Sequence, residues 1–260
     1  MTEALKVLND AGYRRYECAG NRKTAFLKVL ALVFMVIDHT GVIFFPGVIE
    51  WRVIGRLAFP LYAWCLVVGM GYTRSPALYS LRLLSVAVAS QFFYMKALNH
   101  QWYEFSVILT LLLGQLAIYG MQRKWMMSEL WAPVLAIAVA LVLKMDYGYK
   151  GVLLIILLYL ARKSRSAVAA LMIAFCLFWG EGTIAVNKLF SVDLTPLKTL
   201  TQYAGTLYTP MVRIQNLAVF SLVFILYPIG WEYRHPTWLS YLAYPGHLLI
   251  LWLFRMAMAG

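Results

Sequence analysis

Long apolar runs separated by short polar and basic clusters are the dominant pattern along the chain. Continuous runs of this kind are typical of helices that cross a bilayer, which need about 20 residues, and not of transmembrane strands, whose apolar positions alternate. The candidate spans are 26–45, 52–72, 78–97, 105–120, 130–144, 150–161, 167–180, 212–229 and 238–256. The fifth to seventh are short, so they are tilted, broken or re-entrant. The pattern predicts an all-α, polytopic transmembrane bundle of about eight to ten spans around a buried polar cavity.

The polar first 24 residues predict a division of the chain into two parts. Residues 1–24 contain no apolar run of the kind found in a cleavable signal, so we predict a cytoplasmic N-terminal leader. It forms either an amphipathic piece or a disordered segment. Residues 25–260 are predicted to form a single membrane domain, in which 181–211 read as a long loop.

Composition agrees with a membrane location and limits the choice of partners. The chain of 260 residues is 62% hydrophobic and 13% charged, whereas a soluble domain is about half apolar and a quarter charged. The net charge is +12, but the basic residues form short clusters between the apolar runs. Such clusters favour loops that face an anionic cytoplasmic leaflet. We therefore predict the lipid bilayer as a partner, no nucleic acid, and a cytoplasmic N-terminus.

The three cysteines lie far apart and form no metal-binding or disulfide pattern. We predict no metal site.

The first span carries ionisable residues, which are costly inside a membrane and usually face a bundle interior or cavity. Lys28 and His39 are eleven residues apart, which places them on one helix face about 16 Å apart along the axis. A cation near the cytoplasmic edge would hold an anionic ligand, and a histidine deeper in the span is suited to general-base work. The alternatives are that Lys28 snorkels to the interface and that His39 makes an interhelical hydrogen bond.

Asp38 precedes His39, but successive helix positions point about 100° apart. A direct hydrogen bond between the two is therefore not required. Asp38 is instead expected to pair with Arg56 of the second span.

Six segments resemble the TraX family of conjugative plasmids, whose integral-membrane proteins N-acetylate pilin. They are KVLALVFMVIDH at 28–39, GRLAFPLYAWCLVVGM at 55–70, SQFFYM at 90–95, WYE at 102–104, DYGYKGVL at 146–153 and YLAYPGHLLIL at 241–251. The likeness extends more distantly to membrane acyltransferases with a basic residue, ten intervening residues and a histidine in their first span. Lys28 and His39 match that spacing, although arginine is the commoner first residue there.

The resemblance implies an acetyl-CoA:protein N-acetyltransferase of the bacterial inner membrane, with processed pilin as its protein substrate. His39 would be the general base or an acetyl-accepting nucleophile, with Asp38 beside it. The residues expected at the acetyl-CoA are Lys28, Arg22, Lys23, Arg82 and Arg56, the last as a phosphate ligand or as the partner of Asp38. Those expected near the acceptor are Glu104, Tyr147 and His247.

Three other functions stay open at this point. One is O-acetylation of a glycan by the same chemistry. Another is proton-coupled transport, with Asp38 and His39 as the relay, although paired halves typical of transporters are not evident. The last is a non-enzymatic role in pilin assembly.

Overall fold

The computed structural model describes residues 16–180, 186, 188–194, 213–230 and 237–259, and helices account for most of them. The helices are α1 (Thr24–Phe44), α2 (Ile49–Gly55), α3 (Ala58–Tyr72), α4 (Pro76–Leu98), α5 (Val107–Arg123), α6 (Ser128–Val142), α7 (Gly148–Ala161), α8 (Arg165–Gly180), α9 (Leu222–Leu226) and α10 (Thr237–Ala259). Short 3₁₀ turns precede α6 and α9. A small antiparallel hairpin pairs β1 (Lys188–Leu189) with β2 (Val192–Asp193). The predicted all-α fold is confirmed.

Four helical segments are long and apolar enough to cross a membrane: Thr24–Phe44, Ile49–Tyr72, Pro76–Leu98 and Trp125–Val142. Shorter apolar helices occupy 107–123, 148–161, 165–179 and 216–226. Each of these helices overlaps a run that the sequence marked as a candidate span. The chain therefore has the helices of a membrane protein.

The second predicted span is broken between α2 and α3. Proline has no backbone N–H, so Pro60 has none to donate to the carbonyl of Arg56. The N–H of Arg56 bonds the carbonyls of both Arg52 and Val53, and the N–H of Leu57 bonds that of Ile54, which tightens the chain at this point. Helix α2 thus ends at Gly55, with Arg52 in its last turn and Arg56 directly after it.

Helix α3 is the centre of the bundle. It is buried on all sides, with Leu61, Trp64, Val67 and Met70 inaccessible to solvent, as expected for a helix that is apolar all round. Helices α1, α5 and α7 pack against it, and α10 packs between α4 and α1. The outer faces of α4 and α6 expose apolar side chains such as Val88 and Val134, which suits contact with lipid.

Residues 16–23 of the predicted leader pack into the bundle. The side chain of Asn21 donates to the carbonyls of Phe224 and Ile229. The indole of Trp64 donates to the carbonyl of Asn21 at 2.7 Å. A Cβ on Gly20 would lie 2.6 Å from the Trp64 ring, so glycine permits this approach. Residues 1–15 lie outside the described residues.

We expect Trp64→Phe to lower the free energy of unfolding by about 1–3 kcal/mol, because it leaves the buried Asn21 carbonyl without its donor. Thermal unfolding in detergent measures this change. Trp102→Phe is the matched control, since Trp102 is 73% exposed and its replacement should leave the melting temperature unchanged. Equal effects of the two variants would contradict this account of the Trp64 contact.

Candidate functional site

An ion cluster joins α1 to the broken second span. Arg52 donates to Oδ2 of Asp38 at 2.9 Å, and Arg56 donates to both carboxylate oxygens at 3.1 and 2.9 Å. The predicted pair of Asp38 with Arg56 is confirmed. Arg52 was not predicted as a partner, although two arginines four residues apart share one helix face. Asp38 is therefore fully engaged by guanidinium groups and not by His39.

Glycines let α1 and α2 approach closely enough for these contacts. A Cβ on Gly55 would lie 2.2 Å from the Cβ of Asp38, and one on Gly41 would lie 2.4 Å from the Cβ of Trp51. Both distances are far inside van der Waals contact. The close helix pair depends on the absence of side chains at both positions.

His39 meets His247 across the bundle. Nδ1 of His39 lies 2.9 Å from Nε2 of His247, and Nδ1 of His247 lies 3.1 Å from the carbonyl oxygen of Ala243. The two rings are 6% and 8% exposed. Helix α10 continues through Pro245 and so carries His247 to α1.

The geometry of the two rings is that of an in-plane hydrogen bond. The ring planes differ by only 14°, with centroids 5.1 Å apart. Stacked rings would be separated by roughly 3.5 Å between planes, which is more than the N···N distance of 2.9 Å. The rings therefore meet edge to edge, as a nitrogen lone pair requires.

A small cavity borders His39. Its volume is about 20 Å³, and its lining includes Asp38, Tyr62, Asp146 and Tyr147 as well as His39. Tyr147 was predicted to lie near the acceptor. Its ring stacks on that of Phe59, and its ring centroid lies 5.5 Å from the guanidinium carbon of Arg56. His39 thus borders a space that is also lined by two aspartates and two tyrosines.

Two further cavities adjoin this space through shared lining residues. A cavity of about 70 Å³ is lined by Lys28 and shares Tyr62 and Val107 with the one at His39. A groove of about 590 Å³ between α4 and α10 contains Arg82 and shares Val86 and Tyr241 with the Lys28 cavity. In the series from Arg82 past Lys28 to His39, each cavity therefore shares wall residues with the next.

A larger groove lies elsewhere. Its volume is about 1000 Å³, and it runs between α5 and α6 beside Trp125 and Trp131. It includes none of the predicted site residues. Its apolar wall and open position suit lipid contact, so size alone does not identify the reactive site.

Arg22 and Lys23 lie at the start of α1 and do not line these three cavities in the described structure. Lys23 donates from Nζ to the carbonyl of Gly230 at 2.7 Å, and Arg22 is exposed. They are separate from the series of cavities that joins Lys28 to His39.

Glu104 already has partners in the loop before α5. Its carboxylate lies 2.5 Å from Nζ of Lys144 and 2.8 Å from Nδ1 of His100, and it accepts from the backbone N–H of Gln101. The hydrogen bond from Lys144 is the main reason why the pKa of Glu104 falls to about 2, with contributions from Gln101 and His100. Glu104 therefore holds two loops together.

Asp146 and Tyr62 border the cavity although the sequence did not single them out individually. Asp146 follows α6 in a loop whose backbone bonds Phe105. Burial raises the pKa of its carboxyl, and the nearby Arg56 opposes that effect. In the sequence, the only indication of a role for Asp146 was the Asp-Tyr-Gly segment at 146–148, which also fits a tight turn that needs glycine. Within the described residues, no group of three His, Cys, Asp or Glu side chains could hold a metal.

These features define a helical membrane protein with a buried histidine pair beside an internal cavity. The family model described as TraX protein matches residues 23–255, and the chain belongs to the TraX family. The resemblance seen in the sequence is thereby confirmed.

Two known proteins are similar to this chain. Uncharacterized protein RP591 of Rickettsia prowazekii (strain Madrid E) is 26% identical over 206 residues, which are 77% of this chain and 76% of that protein. Protein TraX of Escherichia coli (strain K12) is 28% identical over 162 residues, which are 58% of this chain and 61% of that protein. No solved structure matches the chain.

We expect Gly55→Ala to destabilise the protein by about 1–3 kcal/mol, because the added methyl group overpacks the contact with Asp38. Thermal unfolding in detergent is the measurement. Gly47→Ala, in the turn between the same two helices, is the control, since a Cβ there meets nothing within 4 Å. If Gly55→Ala melted like the wild type, the close approach would not be needed for the Asp38 cluster.

The lowered pKa of Glu104 predicts that the stability of the protein depends on pH. Its folded pKa of about 2 lies below the ordinary 4.5, so its contribution to stability is complete above the ordinary value and is lost as the pH falls through the folded one. We expect wild type and Glu104→Gln to differ in melting temperature near neutral pH and to converge toward about pH 2. A difference that stays constant down to that pH would argue against these loop contacts.

Proposed function

We propose that this protein is a transmembrane acetyltransferase that moves acetyl from cytosolic acetyl-CoA to the N-terminal amine of a conjugative pilin. Membership of the TraX family supports a role connected with pilin. The observation that carries the proposal is the series of adjoining cavities that ends at His39 and passes Lys28 on the way.

An elongated thioester whose two ends differ in charge would lie along this series of cavities. Arg82 supplies a cation in the outer groove and Lys28 supplies one in the adjoining cavity, where phosphates of the coenzyme would bind. The Lys28 cavity is also lined by Tyr62 and Leu66, and the slender pantetheine arm would pass along them. The thioester would then reach the cavity of His39.

The chemical step needs a base at this position. The amine nitrogen attacks the thioester carbonyl carbon, and the carbon–sulfur bond breaks. The proton of the amine passes to His39, and the imidazolium returns it to the departing thiolate, so the products are the acetamide and free coenzyme A. In the alternative route, His39 attacks first and carries the acetyl group as acetyl-histidine before the amine takes it.

Direction across the membrane follows from the charge distribution. We place the N-terminus in the cytoplasm of a multi-pass inner-membrane protein, which puts the start of α1 and Lys28 on the coenzyme's side. A processed pilin presents its amine on the opposite side. A reactive group inside the bundle allows the acetyl group to pass between them. Glu104 receives no role in this step, because Lys144 and His100 already engage its carboxylate.

We expect purified protein in detergent to transfer label from acetyl-CoA to a pilin N-terminal peptide, and His39→Ala to lower that rate by at least about 100-fold, the usual contribution of a general base. His100→Ala is the matched histidine control, since its ring pairs with Glu104 in a loop. It should leave the rate unchanged.

The other outcomes separate the rival functions. Label that reaches a saccharide and not the peptide would replace this proposal with glycan O-acetylation. Absence of transfer to either acceptor would reject the enzyme and favour transport or pilin assembly. Equal rates for wild type and His39→Ala would remove His39 from the reaction.

A further inference from the structure

The hydrogen bonds of the histidine pair define which nitrogens carry protons. A carbonyl oxygen only accepts, so the contact with Ala243 requires a proton on Nδ1 of His247. A neutral His247 then has a lone pair on Nε2. Nδ1 of His39 lies 2.9 Å from that atom and must donate to it.

Neutral rings are the resting forms because both histidines are buried. An imidazolium taken out of water without an anion is costly. The nearest carboxylate along the chain, that of Asp38, is already shared by Arg52 and Arg56. No described carboxylate makes a salt bridge or hydrogen bond to either ring.

With Nδ1 committed to His247, the lone pair of a neutral His39 lies on Nε2. In the described structure Nε2 makes no hydrogen bond, and His39 borders the cavity that includes Tyr62 and Asp146. Either route for acetyl transfer uses an imidazole lone pair, as base or as nucleophile. The contact from α10 thus decides which nitrogen of His39 is available.

We propose that His247 is the positioning residue for His39: it accepts the Nδ1 proton of His39 and thereby keeps the Nε2 lone pair of His39 free for the reaction. This role is the one that a carboxylate fills in many histidine sites. Asp38 does not fill it here, because the carboxylate is bound to the arginines. His247 thus replaces the adjacent acid, and it stabilises the positive charge that His39 gains when it takes the amine proton.

This inference rests on the proposed function for its kinetic test but has a spectroscopic test of its own. Nitrogen NMR of histidine-labelled protein distinguishes a ring nitrogen that bears a proton from one that does not. We expect His39 to be protonated on Nδ1 in the wild type and to lose that preference in His247→Leu. A wild-type His39 protonated on Nε2 would overturn the inference, whatever the protein's activity.

The kinetic test compares two variants of His247. His247→Leu removes the acceptor, and we expect kcat to fall about 100-fold while KM for acetyl-CoA stays unchanged. His247→Gln carries an amide oxygen that can accept the same proton, so it should retain most of kcat. If His247→Gln folded with a wild-type melting temperature but was as slow as His247→Leu, the hydrogen bond would not be the reason.

A double variant separates positioning from a purely structural role. In the His39→Ala background, His247→Leu should cause no further loss of kcat, because residues that act as one unit are not additive. An equal loss in both backgrounds would show that His247 acts independently of His39. Failure of wild type to transfer acetyl would reject the proposed function, and the NMR result would still decide the histidine pair.

Discussion

The site depends on the ion pairs that two arginines form with Asp38. A carboxylate inside a bundle needs cationic partners, and here Arg52 and Arg56 supply them through α2 and its C-terminal end. Both guanidiniums reach Asp38 on α1 at 2.9 Å. Successive residues of a helix point about 100° apart, so fixing Asp38 toward α2 directs His39 toward a different neighbour, which is α10.

That division gives the adjacent residues separate tasks. Asp38 ties the first two spans together, and the glycine at 55 permits the close approach. His39 is left with a ring from α10 as its partner. An acid beside a histidine in sequence suggests a dyad, but the structure pairs the acid with two arginines and the histidine with a ring from α10.

The cavities make this arrangement useful. A buried histidine with no space beside it would be one more interhelical hydrogen bond. His39 instead borders a small space that adjoins the Lys28 cavity through Tyr62 and Val107. The two inner cavities are small, about 70 and 20 Å³, and under the proposed function they would take the thioester arm. The series opens between α4 and α10, the helix that also carries His247.

The sequence alone determined the local features. Continuous apolar runs located the helices, and the spacing of Lys28 and His39 placed them on one face, because helical periodicity is a property of a single segment. The charge of Asp38 also indicated Arg56, since a buried carboxylate needs a cation nearby. The order of motifs identified the family.

Only the tertiary structure decided which residues meet across the bundle. His39 and His247 are 208 positions apart, and Arg52 and Asp146 reach the site from a broken helix and a loop. A helix that is apolar on all sides has no amphipathic pattern that would indicate which helices pack against it. Their rotation and contacts therefore depend on how ten helical segments, in the described part of the chain, pack together at once.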